Sequence, residues 1–393
     1  MQKLTGRQLA AVGSMLFGLF FGAGNLIFPV AMGQLAGRNL WAAAAGFLIT
    51  GVGLPLLGVA ALGLSRESGL LALSSRVGRG YGLAFTCALY LTIGPFFAIP
   101  RCATVSYTVG IAPLAPGGGA ALGVFSLAFF AVVLFFSLRP GQILTWVGKV
   151  LNPLFLAFLA VLVLRALAAP LGQAAAVEPA GAYRAAPFAT GLLEGYNTMD
   201  ALAGLAFGIL VVQAIRRLGV RAPGDVAVST VCAGVFSSAL MAGIYLLVTL
   251  VGAQSRGRFA AAANGGEALA RIAAAYFGRA GALILAATVT VACLKTAVGL
   301  ITSCGETFVE IFPHGPSYRV WAVGFCLLSF LIANLGLDAI LAWSQPVLMA
   351  LYPLAIVLIL LTLAGPLYGD DRAVLRGGLG CTAAAAVLEF LRA

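Results

Sequence analysis

The sequence has little charge and almost no histidine. Charged residues make up 9% of its 393 residues, whereas a soluble domain has about 25%. The single histidine, His314, lies in a loop beside Pro313 and Pro316, and one such histidine cannot form a metal cluster or a histidine-dependent catalytic pair. With 62% hydrophobic residues, the composition predicts a helical protein that crosses a membrane many times.

Other patterns that carry chemistry are also missing. None of the seven cysteines forms a C-x-x-C pair, and nearly all lie in apolar stretches, so we interpret them as packing residues. No phosphate-binding loop is present, which argues against direct ATP drive. No charged leader with a cleavage site precedes the first apolar stretch. The net charge of +11 comes mostly from short loops without interleaved aromatics, so nucleic acid is not an expected partner.

Eleven apolar stretches predict membrane-spanning helices, because a helix of about 20 apolar residues crosses the hydrocarbon core. The predicted spans are 9–35, 40–64, 81–112, 120–138, 144–167, 188–214, 227–253, 281–308, 320–336, 340–366 and 374–391. Short loops rich in Arg and Lys alternate with short loops that have few, and the basic set includes Lys3, Arg66 and Lys149. The long loop 254–280 on the other side departs from this alternation, with Arg256, Arg258, Arg271 and Arg279. This alternation places the N-terminus in the cytoplasm of a multi-pass membrane protein.

The first span is interrupted near its middle by the stretch Phe20-Phe-Gly-Ala-Gly-Asn-Leu-Ile-Phe-Pro29. Its glycines and its proline disfavour a continuous helix. Broken backbone is tolerated in hydrocarbon only where protein or a polar cavity covers it. Two half-helices would offer free N–H and C=O groups to a zwitterion or a small cation. The alternative is a close-packed glycine face, since Gly18 and Gly22 have a small-xxx-small spacing.

A second interruption, Gly195-Tyr-Asn-Thr-Met-Asp200, lies in the sixth span, five spans after the first. Because five is odd, a second copy of the first five spans would begin on the opposite side of the membrane. Paired interrupted helices in two inverted halves are typical of secondary transporters with a site at the midplane. The predicted units are a five-helix repeat over 1–167, a second inverted repeat over 168–366, and an additional C-terminal helix over 367–393.

Charged residues within the spans are few, and each is costly unless it faces a cavity or a partner. Asp200 either caps the second half-helix or serves the site, and Glu194 pairs with a cation, binds a proton or faces the outer vestibule. Arg101 follows two prolines in the third span, and we interpret it as a clamp on carbonyls or a carboxylate rather than a substrate contact. Lys295, near the centre of the eighth span, needs a polar partner or loses its proton.

Four motifs, in this order along the chain, resemble those of the bacterial branched-chain amino acid system II carriers, the leucine/isoleucine/valine:cation symporter family. They are Phe17–Pro29, Tyr90–Arg101 with Ala103–Ser106, Glu194–Ala203, and Thr296–Leu300. The resemblance covers essentially the whole chain. It implies an all-α polytopic membrane protein with the LeuT-type fold of five plus five inverted repeats, in which helices 1 and 6 are broken. It also implies import of leucine, isoleucine and valine, driven by sodium or in some members by protons.

The resemblance also implies a site. The substrate carboxylate would meet N–H groups of Gly22, Ala23 and Gly24, and the ammonium would meet carbonyls near Phe20, Gly195 and Asn197. The aliphatic side chain would lie among apolar groups of spans three, six and eight. The expected substrate-binding residues are Phe20, Gly22, Ala23, Gly24, Asn25, Gly195, Tyr196, Asn197 and Thr198. The expected sodium ligands are Gly18, Phe21, Ala292 and Thr296, and the expected charge network is Lys295, Glu194, Asp200 and Arg101.

The sequence departs from the family pattern at several positions. Where the fold usually has two hydroxyl residues in span eight, this chain has Lys295 and Thr296. One hypothesis is that the Lys295 ammonium replaces the sodium ion, which would make the protein a sodium-independent or proton-coupled transporter of another neutral amino acid. The alternative is that Lys295 pairs with a carboxylate such as Glu194. The family's acid after the span-three arginine is Thr108 here, and its usual threonine is Cys102. The family usually has twelve spans, and this sequence predicts eleven.

The sequence therefore predicts a secondary transporter of a bacterial inner membrane that works by alternating access, and not an enzyme. Its expected partners are a branched-chain amino acid and membrane lipid, without an obligate protein partner. No cofactor is expected; sodium is the expected co-transported cation and a proton is the alternative. Substrate and cation would bind cooperatively, because each stabilises the broken helix that the other needs.

Overall fold

A computed structural model describes residues 4–65, 67, 69–112, 118–139, 152–369 and 371–392, and it is all-helical over these ranges. Lys3, Arg66 and Lys149, which the orientation prediction used, lie outside the described residues. The α-helices are α1 (Gly6–Phe20), α2 (Ala23–Ala36), α3 (Leu40–Leu48), α4 (Leu54–Ser65), α5 (Leu70–Ser75), α6 (Arg79–Leu91), α7 (Ala98–Val105), α8 (Gly118–Ser137), α9 (Asn152–Ala168), α10 (Pro187–Tyr196), α11 (Asp200–Arg217), α12 (Pro223–Ser255), α13 (Gly265–Ile311), α14 (Tyr318–Ala333), α15 (Leu337–Tyr368) and α16 (Arg372–Arg392).

Helices lie in every predicted span, although residues 144–151 of the fifth span are outside the described residues. Within the described ranges, six continuous segments are long and apolar enough to cross a membrane. The pair α10 and α11 makes a seventh candidate, bent by 43° at its break. The polytopic all-helical class is confirmed, whereas the count of eleven spans, the repeat boundaries and the orientation stay predictions.

The break in the first span is shorter than the sequence indicated. Helix α1 ends at Phe20, Gly22 is extended with φ −114° and ψ −152°, and α2 begins at Ala23. Helix α2 then continues without interruption through Asn25 and Pro29. Proline lacks only its own N–H, so a helix can pass through it where neighbouring groups satisfy the freed carbonyl. The interruption therefore consists of Phe21 and Gly22 alone.

The break in the sixth span depends on one strained residue. Helix α10 ends at Tyr196 and α11 begins at Asp200. Between them Met199 has φ 64° and ψ 10°, the only left-handed conformation of a non-glycine residue in the described part of the chain. A left-handed residue with a side chain costs about 1–2 kcal/mol, so its surroundings must hold it in place. The strain lies where the chain changes direction.

The third span is kinked, as its prolines predict. A π-helical turn over Thr92–Phe96 contains Gly94 with φ −92° and ψ −123°, and α7 restarts the helix at Ala98. A π-turn or a proline is the usual cause of a sharp kink. Because of this kink, α7 and its residue Arg101 lie beside the two breaks.

Small residues let the helices approach closely. Gly252 of α12 lies against α2, where an added Cβ would lie 3.0 Å from the Val30 Cα. Gly204 of α11 lies against α4 in the same way, and its Cβ would lie 3.1 Å from the Pro55 Cα. Helices in membranes associate largely through such packing, because lipid supplies no hydrophobic drive between them. These contacts hold the broken helices against continuous ones.

We predict that Gly252→Ala lowers the melting temperature of the purified protein in detergent. The new methyl group meets backbone that cannot move away, and overpacking of this kind costs about 1–3 kcal/mol. The control is Gly324→Ala on α14, where an added Cβ has nothing within 4 Å. That substitution should leave the melting temperature unchanged or raise it, because alanine favours helix. Equal melting temperatures for the two variants would contradict the packing described here.

Candidate functional site

A small cavity lies where the two breaks meet the kinked third span. It is lined by Leu19, Phe20, Gly22, Gly24, Asn25, Ile93, Ala98, Arg101, Cys102, Thr198, Met199, Asp200, Ala203, Phe207, Thr296 and Leu300. The cavity has room for about one or two water molecules. Any larger ligand therefore requires the surrounding helices to move apart.

The cavity includes only part of the predicted substrate set. Five of its predicted members line it: Phe20, Gly22, Gly24, Asn25 and Thr198. Gly195 packs instead against the turn between α3 and α4, where an added Cβ would lie 3.0 Å from the Gly51 nitrogen. Tyr196 stacks on Tyr352 of α15, with ring centroids 4.3 Å apart.

The side chain of Asn25 connects the two breaks. Its Oδ1 accepts a hydrogen bond from the Gly22 N–H at 3.0 Å, and its Nδ2 donates to the Asp200 carboxylate at 2.5 Å and to the Tyr245 hydroxyl. Tyr245 in turn donates to Asp200 at 3.0 Å. Asn25 is only 2% exposed. This Asn25–Asp200–Tyr245 cluster ties α2, α11 and α12 together and uses the Gly22 N–H that a ligand was expected to bind.

Asp200 serves this cluster rather than capping its own helix. Its carboxylate accepts from Asn25 and Tyr245, which lie on other helices. The positive end of the α11 dipole, at whose first residue Asp200 lies, favours a negative charge there. The backbone of the break is satisfied locally, since the Asp200 N–H donates to Thr198 Oγ1 at 3.2 Å and Thr198 donates to the Gly195 carbonyl at 2.9 Å.

Arg101 is buried and spans the carbonyl end of the second break. Its Nη1 donates to the Asn197 carbonyl at 2.8 Å, and its Nη2 donates to the Thr198 carbonyl at 3.3 Å. The guanidinium also lies 5.5 Å from the centroid of the Phe28 ring. Arg101 is 4% exposed. The guanidinium thus takes the Asn197 carbonyl at which the ammonium of a ligand was expected.

Thr296 comes next to the end of α1. Its hydroxyl donates to the Leu19 carbonyl at 3.1 Å, and a Cβ added to Gly22 would lie 2.7 Å from its Oγ1. The last carbonyls of a helix have no partner within the helix, so hydroxyl and carbonyl oxygens converge here. Among the described residues, no group of three or more His, Cys, Asp or Glu side chains could hold a metal ion. The oxygens beside Thr296 are the kind of neutral ligand that suits a hard monovalent cation.

Lys295 points to an amide and two aromatic faces. Its Nζ donates to Asn152 Oδ1 at 3.1 Å, and it lies 3.9 Å from the Phe155 ring centroid and 5.6 Å from that of Phe17. Asn152 is fixed by donating to the carbonyl and hydroxyl of Ser14 on α1. Lys295 is fully buried. Over the described ranges the ammonium has no ion pair, so the proposed pairing with Glu194 is replaced by cation–π contacts and one hydrogen bond.

The sequence reasoning missed Tyr245 and Asn152. Tyr245 joins Asn25 to Asp200, and Asn152 is the hydrogen-bond partner of Lys295. Both are polar residues next to or within long apolar runs. Polar residues at membrane depth are costly and are usually paired with one another, and that signal would have drawn attention to them.

Comparisons with known proteins agree with one another. Residues 5–393 match the family described as branched-chain amino acid transport protein. The chain is 58% identical over 370 residues to the branched-chain amino acid permease BrnQ of Lactobacillus delbrueckii subsp. lactis, covering 93% of this chain and 83% of the relative. It is 46% identical over 363 residues to the branched-chain amino acid transport system 2 carrier protein of Pseudomonas aeruginosa, and the match covers 92% of this chain and 82% of that relative.

Two solved structures share the fold at low identity. The crystal structure of MhsT in complex with L-phenylalanine has a TM-score of 0.62 and 15% identity, and the match covers 100% of this chain and 99% of that one. A closed structure of Mhp1, a nucleobase-cation-symport-1 family transporter with bromovinylhydantoin bound, has a TM-score of 0.59 and 14% identity. That match covers 97% of this chain and 91% of Mhp1. Both have the LeuT-type fold, which confirms the expected fold class.

We predict that Tyr245→Phe destabilises the protein by about 1–3 kcal/mol. The change leaves a buried Asn25 donor without an acceptor and removes one donor to Asp200, and an unsatisfied buried polar group costs about this much. The readout is thermal unfolding in detergent. Tyr81→Phe is the matched control, because the buried Tyr81 hydroxyl has no hydrogen-bond partner in the described part of the chain. A Tyr245→Phe protein as stable as the Tyr81→Phe protein would show that the cluster contributes little.

Proposed function

Since the chain belongs to the branched-chain amino acid transport protein family, we propose that it imports leucine, isoleucine and valine by sodium-coupled symport. Members of this family are transport proteins and not enzymes. The observation that carries the proposal is the cavity between the two helix breaks, which gathers Arg101, Asp200 and several apolar side chains around one small space. A branched-chain amino acid has two charges and one aliphatic group, and it needs such a mixture.

The apolar part of the cavity suits an aliphatic side chain. Span three contributes Ile93 and Ala98 to this apolar lining, span six contributes Ala203 and Phe207, and span eight contributes Leu300. Burying apolar surface supplies about 25 cal/mol per Å², so a leucine, isoleucine or valine side chain gains affinity here that a smaller one lacks. These residues support a neutral, branched aliphatic substrate.

The oxygens between Thr296 and the end of α1 support sodium as the coupled ion. Gly18 and Phe21 lie beside Leu19 at that end, and Ala292 lies one turn before Thr296 on α13. An ion held between these two elements would fix α1 against α13. Because Gly22 touches Thr296, it would also fix the break that borders the substrate cavity. Binding of either ligand would then favour binding of the other.

We infer that transport proceeds by alternating access. The small size of the cavity supports this inference, because a leucine molecule cannot enter until the helices around the breaks separate. The broken helices provide the joints for such a movement, and inverted repeats with broken helices typically move in this way. The loop charges support a cytoplasmic N-terminus in a bacterial inner membrane.

The contacts of Lys295 do not favour replacement of sodium by its ammonium. Asn152 and the rings of Phe155 and Phe17 hold the ammonium, whereas the Leu19 carbonyl accepts from Thr296. We therefore assign Lys295 to the contact of α13 with α9 and α1. In this assignment it stabilises the helices without being part of the cation site.

The first prediction is that leucine uptake into proteoliposomes rises with an inward sodium gradient, at matched membrane potential and pH. Thr296→Val should raise the sodium concentration for half-maximal uptake about tenfold or more, because it removes one oxygen ligand. Thr288→Val is the control, since the buried Thr288 hydroxyl donates to the Ile284 carbonyl one turn earlier on the same helix. Uptake that follows a proton gradient and ignores sodium would contradict sodium coupling but keep the substrate.

The second prediction is that Lys295→Thr leaves the ion requirement unchanged. The substitution removes the ammonium and gives span eight the two hydroxyl residues that the fold usually has, so a protein whose ammonium replaced sodium should gain sodium stimulation from it. We expect sodium stimulation of the same size in both proteins. Lys295→Met serves as a control, because it removes the charge without adding a hydroxyl. New sodium dependence in Lys295→Thr alone would contradict this assignment and support the hypothesis that the wild-type ammonium replaces sodium.

A further inference from the structure

We propose that Arg101 binds the carboxylate of the transported amino acid directly, through the edge of its guanidinium that Nε and Nη2 form. The inference rests on the proposed function, since it names the residue that recognises a substrate already inferred to be an amino acid. The family comparison assigns no role to this arginine. Three features of its surroundings lead to the assignment.

The first feature is an unused pair of donors. A guanidinium carries five N–H donors, and Arg101 uses Nη1 and Nη2 on the carbonyls of Asn197 and Thr198. Its Nε is buried and has no hydrogen-bond partner among the described residues. The two carbonyl bonds leave Nε–H and the second hydrogen of Nη2 on one edge, pointing in parallel. Two parallel N–H groups match the two oxygens of a carboxylate, which is the pairing arginine favours.

The second feature is the direction of that edge. A Cβ added to Gly24 would lie 3.1 Å from Nη2, so this nitrogen faces the first turn of α2. The same residues, Arg101 and Gly24, line the cavity. The first N–H groups of a helix lack partners within it and attract an anion. A carboxylate held by Arg101 would therefore also lie against the start of α2, where a side chain at position 24 would crowd Nη2.

The third feature is the charge balance of the cavity. Arg101 and Asp200 both line it, but no ion pair within 4.0 Å joins them in the described part of the chain. The Asp200 carboxylate is instead bonded to Asn25 and Tyr245. A buried guanidinium without an anion in direct contact is costly, and a ligand carboxylate would supply that contact. The negative charge of Asp200 would keep that carboxylate on the arginine side of the cavity.

The experiment measures how well carboxylate-free analogues compete with labelled leucine. The probes are leucine, leucine amide and leucinol, which share the aliphatic group and the amino group. In the wild-type protein we expect both analogues to compete about 100-fold less well than leucine, since they lack the charge that Arg101 pairs with. In Arg101→Lys, which keeps the charge but loses the two-pronged geometry, leucine should bind about tenfold more weakly or worse, while the analogues change little.

Arg139→Gln is the control, because Arg139 is an exposed arginine beyond the end of α8 and outside the cavity. It should leave the ratio of leucine to leucine amide unchanged. Thermal unfolding of each variant separates loss of folding from loss of recognition, and the change in the ratio is a readout that a purely structural clamp would not alter.

Each outcome decides one question. Leucine uptake with an unaltered ratio in folded Arg101→Lys would overturn the inference and leave the proposed function standing. Leucinol competing as well as leucine in the wild-type protein would overturn the inference without any variant. Absence of leucine uptake by the wild-type protein under every gradient would overturn the proposed function and the inference with it.

Discussion

The whole site depends on how the free backbone N–H and C=O groups of two interrupted helices find hydrogen-bond partners in a medium without water. An unpaired N–H or C=O in hydrocarbon costs several kcal/mol, so every free group at a break needs a partner. Side chains provide these partners. Asn25 takes the N–H of Gly22, Arg101 takes the carbonyls of Asn197 and Thr198, and Asn25 then bonds Asp200 across the gap. Because one set of side chains serves both breaks, neither helix can shift without disturbing the other.

This shared bonding explains why charged residues are retained at membrane depth. Arg101 and Asp200 each supply hydrogen bonds to polar groups that have no water to bind, and Arg101 keeps its Nε unbonded beside the cavity. Lys295 on α13 also connects helices, because its ammonium contacts Asn152 and Phe155 of α9, and Asn152 in turn bonds Ser14 of α1. A charge in such a place is therefore a structural partner first, and its remaining donors decide whether it also meets a ligand.

The sequence reveals the breaks better than it reveals their partners. Gly22 marks the first break because backbone preference is a local property, and the fold class follows from hydropathy. The same local signal overestimates that break, since Pro29 lies inside a continuous helix. The partners are set by packing between distant segments. Asn152 meets Lys295 across 143 residues and Tyr245 meets Asn25 across 220, so no spacing rule connects them.

The contact between Gly22 and Thr296 gives the two proposed ligands a common mechanical element. Gly22 lies in the break that borders the cavity, and Thr296 lies on α13 beside the carbonyls that end α1. An ion drawn between α1 and α13 and a carboxylate drawn to Arg101 and α2 would both fix the same two-residue break. Each would then reduce the conformational freedom that the other has to remove, and linkage requires the effect to be equal in both directions. Cooperative binding of the two proposed ligands would therefore follow from a single short interruption shared by two sites, without a longer pathway between them.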